Sequence, residues 1–363
     1  QVKDIMPYPL AYWFEKILST RNNIQALEEN GALPTGEYGK LLRLQIQFYQ
    51  SLGKLCGLIM LSNLYDFLLR TTDLTRVQLT RGQFDCLHSF FRITPEHRDS
   101  YDYTALIKTA REILEKNDAV PFIKEYRIFK EDFRHNEQLF EAHMEISSLK
   151  YRLDNGKIPD AELKSYCRKA EGLLWEVFEK VFFIFRYKLI IIRKIEIIKY
   201  RIDKPKFVHN RVILHKAAGD TLQEDDVTLP IDGVELDPGY TDSYSVMLFR
   251  GLSDFSSYLN LSPLAIDLNI LKGEEKSALY LFSHIEANGG IVYEEVQNPK
   301  NSACILVNGD GSIDYVRNLK KLPKIEKAIT GKLTVLYKQF EALRNLFSAL
   351  EPLARQEPET LPS

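Results

Sequence analysis

L-I-I-I-R-K-I-E-I-I-K-Y-R-I, residues 189–202, is the stretch on which the fold turns. Isoleucine dominates it, and β-branched side chains in alternation read as strand rather than helix. The alternation slips at Ile197-Ile198, which predicts a β-bulge or bend there. Upstream, the apolar period is helical. Helices are expected from Pro7 to a stop at Asn30-Gly31, over Tyr38–Arg70, near 80–92 and 101–117, from Pro121 to about Lys150, and from Asp160 to about Tyr187. The Tyr38–Arg70 helix is apolar on most faces, as a central bundle helix must be, and Ser51, Gly53, Cys56 and Gly57 leave room for a close neighbour. Downstream, strands are expected at 207–216, 244–249, 256–260, 264–269, 278–284, 291–296 and 303–307, with N-G-G (288–290) and N-G-D-G (308–311) as hairpin turns. The fold class is therefore α+β: an N-terminal helical bundle (1–187), then a mostly antiparallel β module (188–320). A long C-terminal helix (321–350) is expected to pack back on the bundle, followed by a tail or linker (351–363).

The chain has 363 residues and nearly balances 48 Lys and Arg against 50 Asp and Glu, a formal net charge of −2. That balance argues against a surface built wholly for nucleic acid or an anionic membrane. Four cysteines at 56, 86, 167 and 304 form no C-x-x-C and suggest neither a disulfide scaffold nor a zinc knuckle, so a cytoplasmic setting is expected. Gln1 at the start leaves open a missing or processed N-terminus. The apolar stretch Val181–Tyr200 carries Arg186, Lys188, Arg193, Lys194, Glu196 and Lys199, and no membrane-crossing segment is expected.

Candidate chemistry is sparse. Of seven histidines, His135 and His143 would lie about 12 Å apart on a helix, and His209 and His215 about 20 Å apart along a strand, too far in each case for one ion. No metal site and no cofactor are expected. There is no phosphate-binding G-x-x-x-x-G-K-[ST] loop and no G-x-S-x-G elbow. Asn308, Asp310, Ser312 and Asp314 imitate part of a calcium loop, but Ile313 and Leu319 stand where its glycine and glutamate belong. A hairpin turn explains them. No catalytic residue is assigned.

Two surfaces remain as binding candidates. Arg193, Lys194, Lys199, Arg201, Lys204, Lys206 and Arg211 lie in a basic strip running from Arg186 to Lys216, followed by an acidic loop at 223–239. The strip is either a solvated face that blunts an edge strand or a site for an acidic partner or nucleic acid. In the C-terminal helix, Leu333, Leu336, Phe340, Leu343 and Phe347 alternate steps of three and four, a heptad-like seam. It either docks on the bundle or receives a partner helix.

Layout and short motifs supply a resemblance. P-Y-P-L-A-Y (7–12) opens a helical half, and Y-L-N-L-S-P-L-A-I-D (258–267) and A-L-Y-L-F-S-H-I-E-A-N-G-G-I-V-Y-E-E (278–295) mark a β module. Together these resemble helical-plus-β, HEPN-like accessory regions of bacterial conflict and antiviral operons. The resemblance implies a HEPN-like helical half, with an R-N-x-x-A-H-type segment before the β module. Here F-V-H-N-R-V-I-L-H (207–215) departs from that pattern. HEPN nucleases pair an arginine with a histidine about a helical turn away, and Arg81 with His88 and Arg92 with His97 are the formal matches; about one such match arises by chance. One arrangement in such systems is a CRISPR-associated protein cut by a target-activated protease and binding a sigma factor. The expected function is accordingly a non-catalytic protein-interaction adaptor or effector of prokaryotic antiviral defence. Its expected partner is a protein, a protease or sigma factor if the resemblance holds, with nucleic acid less favoured and no membrane. The alternatives are a HEPN-like RNase and a nucleic-acid-binding module that uses residues 186–216.

Overall fold

The computed structural model describes residues 6–127, 137–198, 200–202, 206–214, 223–230, 245–251, 258–271, 277–310, 312–315 and 327–354. Helices come first, antiparallel strands follow and a helix closes the described chain, an α+β architecture. The helices are α1 (Tyr8–Glu29), α2 (Thr35–Arg70), α3 (Arg81–Phe90), α4 (Tyr103–Lys116), α5 (Glu137–Asp154), α6 (Leu163–Val181), the single turn α7 (Leu268–Leu271) and α8 (Lys327–Ser348). Gly31 ends α1 at φ +73°, the left-handed geometry that glycine accepts without a Cβ penalty.

Contacts divide the chain into two units, and the division does not follow the expected boundary at 187/188 alone. Residues 1–55 and 123–188 belong to the first; 56–122, 189–214 and 222–363 belong to the second. Thus α3 and α4 group with the strands, and α2 contributes its first part to one unit and its second to the other. The reason is packing within the second unit: α3 buries Phe84, Leu87 and Phe90, spaced at helical intervals, and Phe90 meets Phe282 of the β module at 5.0 Å between ring centroids.

In the first unit, polar ties join elements far apart in sequence. Gln45 donates to the Cys167 carbonyl at 3.1 Å, the Tyr49 hydroxyl and His143 Nδ1 lie 2.6 Å apart, and Tyr187 donates to Glu125 at 2.7 Å. Glu28 accepts from both Lys164 and Tyr38, which holds its carboxyl below the usual range.

The second unit holds two antiparallel sheets. The first has the order β3-β2-β1-β4-β5, from β1 (Lys188–Ile198), β2 (Lys206–Leu214), β3 (Gln223–Pro230), β4 (Val246–Phe249) and β5 (Tyr258–Asn260). The second has the order β10-β9-β8-β7-β6, from β6 (Ala265–Asp267), β7 (Leu279–Ile285), β8 (Ile291–Glu295), β9 (Ser302–Val307) and β10 (Ile313–Tyr315). Both hairpin expectations hold: Gly289 turns β7 into β8 at φ +84°, and Asn308 N donates to Ser312 O between β9 and β10. The calcium-like side chains are used in that second turn, where Asp310 accepts from Ser312 N at 2.8 Å and Asn308 donates to Ser312 Oγ at 2.9 Å.

Three expectations need correction. The acidic stretch is not all loop: residues 223–230 form β3, with Asp225 in register opposite Arg211 of β2; residues 231–244 lie outside the described residues. The irregularity in β1 falls between Ile192 and Lys194, not at Ile197-Ile198. Apolar alternation marks a bulge only where one face is buried, whereas residues 189–192 are buried on both faces and 196–198 exposed on both. Finally, α2 is long and apolar enough to cross a membrane by length and composition, although 67% of its most apolar window is buried by protein, as in a core helix.

Helix α8 packs on β9, β10, α3 and α7. Phe340 meets Phe91 at 6.1 Å and Phe282 at 5.1 Å, and Phe347 meets Phe91 at 5.5 Å. So the helix reaches the expected helical half through Phe91 and α3, but rests equally on the sheet.

Candidate functional site

The side chains with most chemical potential converge on a cavity of about 610 Å³ at the end of α3 and the start of α4. Local sequence explains its walls. Thr80 and Gln83 form a reciprocal capping box that starts α3. Phe84, Leu87 and Phe90 then turn inward, leaving Asp85, His88 and Ser89 on the opposite face. Past the helix, Arg92 and the turn T-P-E-H (94–97) carry the chain round, with the Thr94 carbonyl accepting from His97 N and Arg98 N. Asp102 caps α4 by accepting from Thr104 N at 2.9 Å and Ala105 N at 3.1 Å.

His88, Arg92 and His97 all line this cavity. Partial burial pushes the His88 imidazole below the usual histidine range, and the like charge of Arg92 adds to that. Its ring stacks on Phe84 at 5.4 Å between centroids. His97 Nδ1 and Thr94 Oγ1 are hydrogen-bonded at 2.9 Å. Among the described residues the Arg92 guanidinium makes no ion pair. Burial raises the Tyr101 hydroxyl far above its ordinary value, so it stays protonated, 3.4 Å from Ser89 Oγ. Burial also raises the Cys86 thiol, which keeps it out of thiolate chemistry.

The two formal arginine–histidine pairs fare differently. Arg92 and His97 share the cavity, with Pro95 in the turn between them rather than breaking a helix. Arg81 does not line it: its guanidinium bonds Asp85 at 3.1 Å and Glu351 at 3.4 Å and lies over the Phe84 ring. Ser89, Tyr101 and Asp102 were not singled out by sequence, and no spacing signal marks them.

The basic strip does not form one solvent face. Its strands are interior to the sheet, not edges; β3 and β5 hold those positions. Arg211 is buried at 2% exposure in the register opposite Ile192, because β2 lies between β1 and β3. Arg193 is half-buried at the β1 irregularity, while Lys194 and Arg201 are exposed and Lys194 pairs with Glu196. Lys199 and Lys204 lie outside the described residues, as does the side chain of Lys206, whose backbone begins β2. The helix seam is not a free surface either. Leu333, Leu336, Phe340, Leu343 and Phe347 are all buried at 4% exposure or less, because their face meets Phe91 and Phe282. The stripe is core, not a partner site.

What remains exposed is the distal end of β1 and the residues after it. Ile197 and Tyr200 are each 64% exposed and Ile202 96%, beside Lys194 and Arg201.

Among the described residues no group of three His, Cys, Asp or Glu side chains is placed to hold a metal ion, and all four cysteines are free. No family model matches the sequence, and neither a curated protein nor a solved structure matches it.

Proposed function

We propose that the chain is a protein-interaction component of a prokaryotic antiviral, CRISPR-type defence system, an adaptor or effector that works in the cytoplasm without catalysis of its own. The observation that carries this reading is the exposed end of β1 and the residues after it, where Ile197, Tyr200 and Ile202 are exposed in a segment that also carries the exposed cations Lys194 and Arg201. Large apolar side chains grouped on a surface favour association, and flanking cations favour an acidic partner segment. A protease and a sigma factor are the partners that the resemblance implies. Photo-crosslinking side chains placed at 200 and 202 test the reading, with Leu33, 91% exposed, as the control position. Crosslinking to one protein from 200 and 202, absent from 33 and abolished by Ile197→Asp, supports it. Equal capture from all three positions overturns it.

A second reading is metal-independent RNA cleavage of the HEPN type, favoured by the joint placement of His88, Arg92 and His97 on one cavity. Two imidazoles beside a guanidinium are suited to proton transfer and charge stabilisation at a phosphodiester. Incubation of single-stranded RNA with the full chain in EDTA tests it. Cleavage lost in His97→Ala supports the reading; intact RNA at every protein concentration removes it.

A further inference from the structure

The charges on the cavity are not equivalent once their partners are counted. Two carboxylates line it, and both are engaged. Asp85 is paired with Arg81 at 3.1 Å, and Asp102 is bound to the first amides of α4. The C-terminal carbonyls of α3, which would otherwise repel an anion, are also occupied. Cys86 O accepts from Ser89 Oγ at 2.7 Å, His88 O from Phe91 N at 3.2 Å and Ser89 O from Arg92 N at 3.0 Å. Arg92, by contrast, makes no ion pair among the described residues, and His88 and His97 add ring nitrogens. The Ser89 proton is committed to Cys86 O, while the Tyr101 hydroxyl keeps its own proton because burial disfavours the phenolate, and its contact with Ser89 Oγ is long at 3.4 Å. The Arg92 guanidinium therefore lines the cavity without a carboxylate partner, beside two imidazoles and a protonated phenol.

We propose that this cavity is a receptor for a phosphoryl group carried by a nucleotide, with Arg92 as its anchor and His88, His97 and Tyr101 as further donors. A guanidinium binds phosphate through two parallel N–H···O bonds, a geometry that a lone ammonium lacks. A cavity of about 610 Å³ falls within the size range of small-ligand sites and holds one nucleotide rather than a folded polymer. Ile93 and Ala105 supply apolar lining against which a sugar or base can rest. The site shares its residues with the RNA-cleavage reading but does not depend on cleavage.

Isothermal titration calorimetry of the full chain tests it with three probes: inorganic phosphate, AMP and a 5′-phosphorylated RNA trinucleotide. Adenosine and the unphosphorylated trinucleotide serve as controls. The expected result is saturable binding of AMP at least tenfold tighter than adenosine, weakening with added salt. Arg92→Gln should weaken AMP at least tenfold, and Arg21→Gln, at a side chain that pairs with Glu171 and does not line the cavity, should change it less than twofold. Because Arg92 is exposed and unpaired, an unchanged thermal melt is expected for its variant, which separates lost binding from lost folding. Stronger binding of the phosphorylated trinucleotide than of AMP identifies an RNA end as the source of the phosphoryl group. Binding of inorganic phosphate alone as tightly as AMP overturns the nucleotide as the carrier, whereas AMP and an RNA end both support it. Equal binding of AMP and adenosine, binding unchanged in Arg92→Gln, or no heat with any phosphate probe overturns it. Binding without RNA cleavage leaves the receptor standing and removes only the nuclease, so the two ideas fail separately.

Discussion

The two halves of β1 are built from the same residue and meet opposite fates. Ile190, Ile191 and Ile192 are wholly buried, whereas Ile197 is 64% exposed and Ile198 37%. Their difference is not intrinsic preference, since isoleucine dominates both halves. It is cover: Ile190 and Ile192 pack with Met247 and Phe249 of β4, a strand of only four residues, and Ile195 joins only the margin of that cluster. Beyond it, β1 still pairs with β2 but nothing in the described chain caps its side chains. Backbone pairing and side-chain burial are thus separable, and only the second contributes hydrophobic stabilisation. The uncovered half of β1 is the surface to which the proposed partner is assigned.

The buried side of this comparison should be costly to disturb. Phe340 sits at 0% exposure between Phe91 and Phe282, and Phe340→Ala is expected to cost about 3–5 kcal/mol in a urea unfolding series. A loss below about 1 kcal/mol would mean that the seam is not core. Within β1 itself, Ile190→Ala is expected to cost about 2–5 kcal/mol, because the cavity left beside Met247 cannot be filled by solvent. Equal costs for Ile190→Ala and Ile197→Ala would break the contrast between the halves.

Acid sharpens the same boundary between covered and uncovered groups. His284, at 1% exposure, and His88 are both held below the usual histidine range, chiefly by burial. The unfolded chain therefore binds protons more readily than the folded one as the pH drops below the ordinary histidine value of about 6.5. Stability from these two groups is complete above that value and is lost as the pH falls toward their depressed folded values. Thermal melts from pH 7.5 to 5 should show a falling midpoint, and His284→Asn should flatten the slope. A midpoint that rises on acidification would contradict the burial of these rings. The smallest effect is expected at Ile197→Ser, within about 0.5 kcal/mol of the parent by urea titration, while removing part of the proposed partner surface.

Legibility followed physical locality. The helix period of α8, the hairpin glycines and the strand at 189 were readable because each depends on neighbours a few residues away. The seam residues Leu333–Phe347 were visible as a stripe, but whether a stripe is covered from within or by a partner depends on Phe91 and Phe282, which lie remote in sequence. β3 was missed because Gln223-Glu224-Asp225-Asp226 has poor strand preference, yet it pairs along β2 from Ile213 to Lys206. The charge of Arg211 points to solvent, but its place in an interior strand, between β1 and β3, decides otherwise. The cavity was legible only as two chance-level arginine–histidine spacings. Folding put only His88 of one pair on the cavity but both members of the other, through a turn at Thr94–His97 and a capping aspartate that no motif announces.

By itself, then, the sequence determined what is local: helices ahead of residue 188, strands after it, turns at 288–290 and 308–311, and a helix to close. Those follow from side-chain period and backbone preference within a few residues. Tertiary structure alone decided which isoleucines are covered, which arginines reach solvent, and which basic groups share a cavity. Each of these depends on elements brought together across tens to hundreds of residues, where burial and electrostatics are set by neighbours in space rather than in sequence.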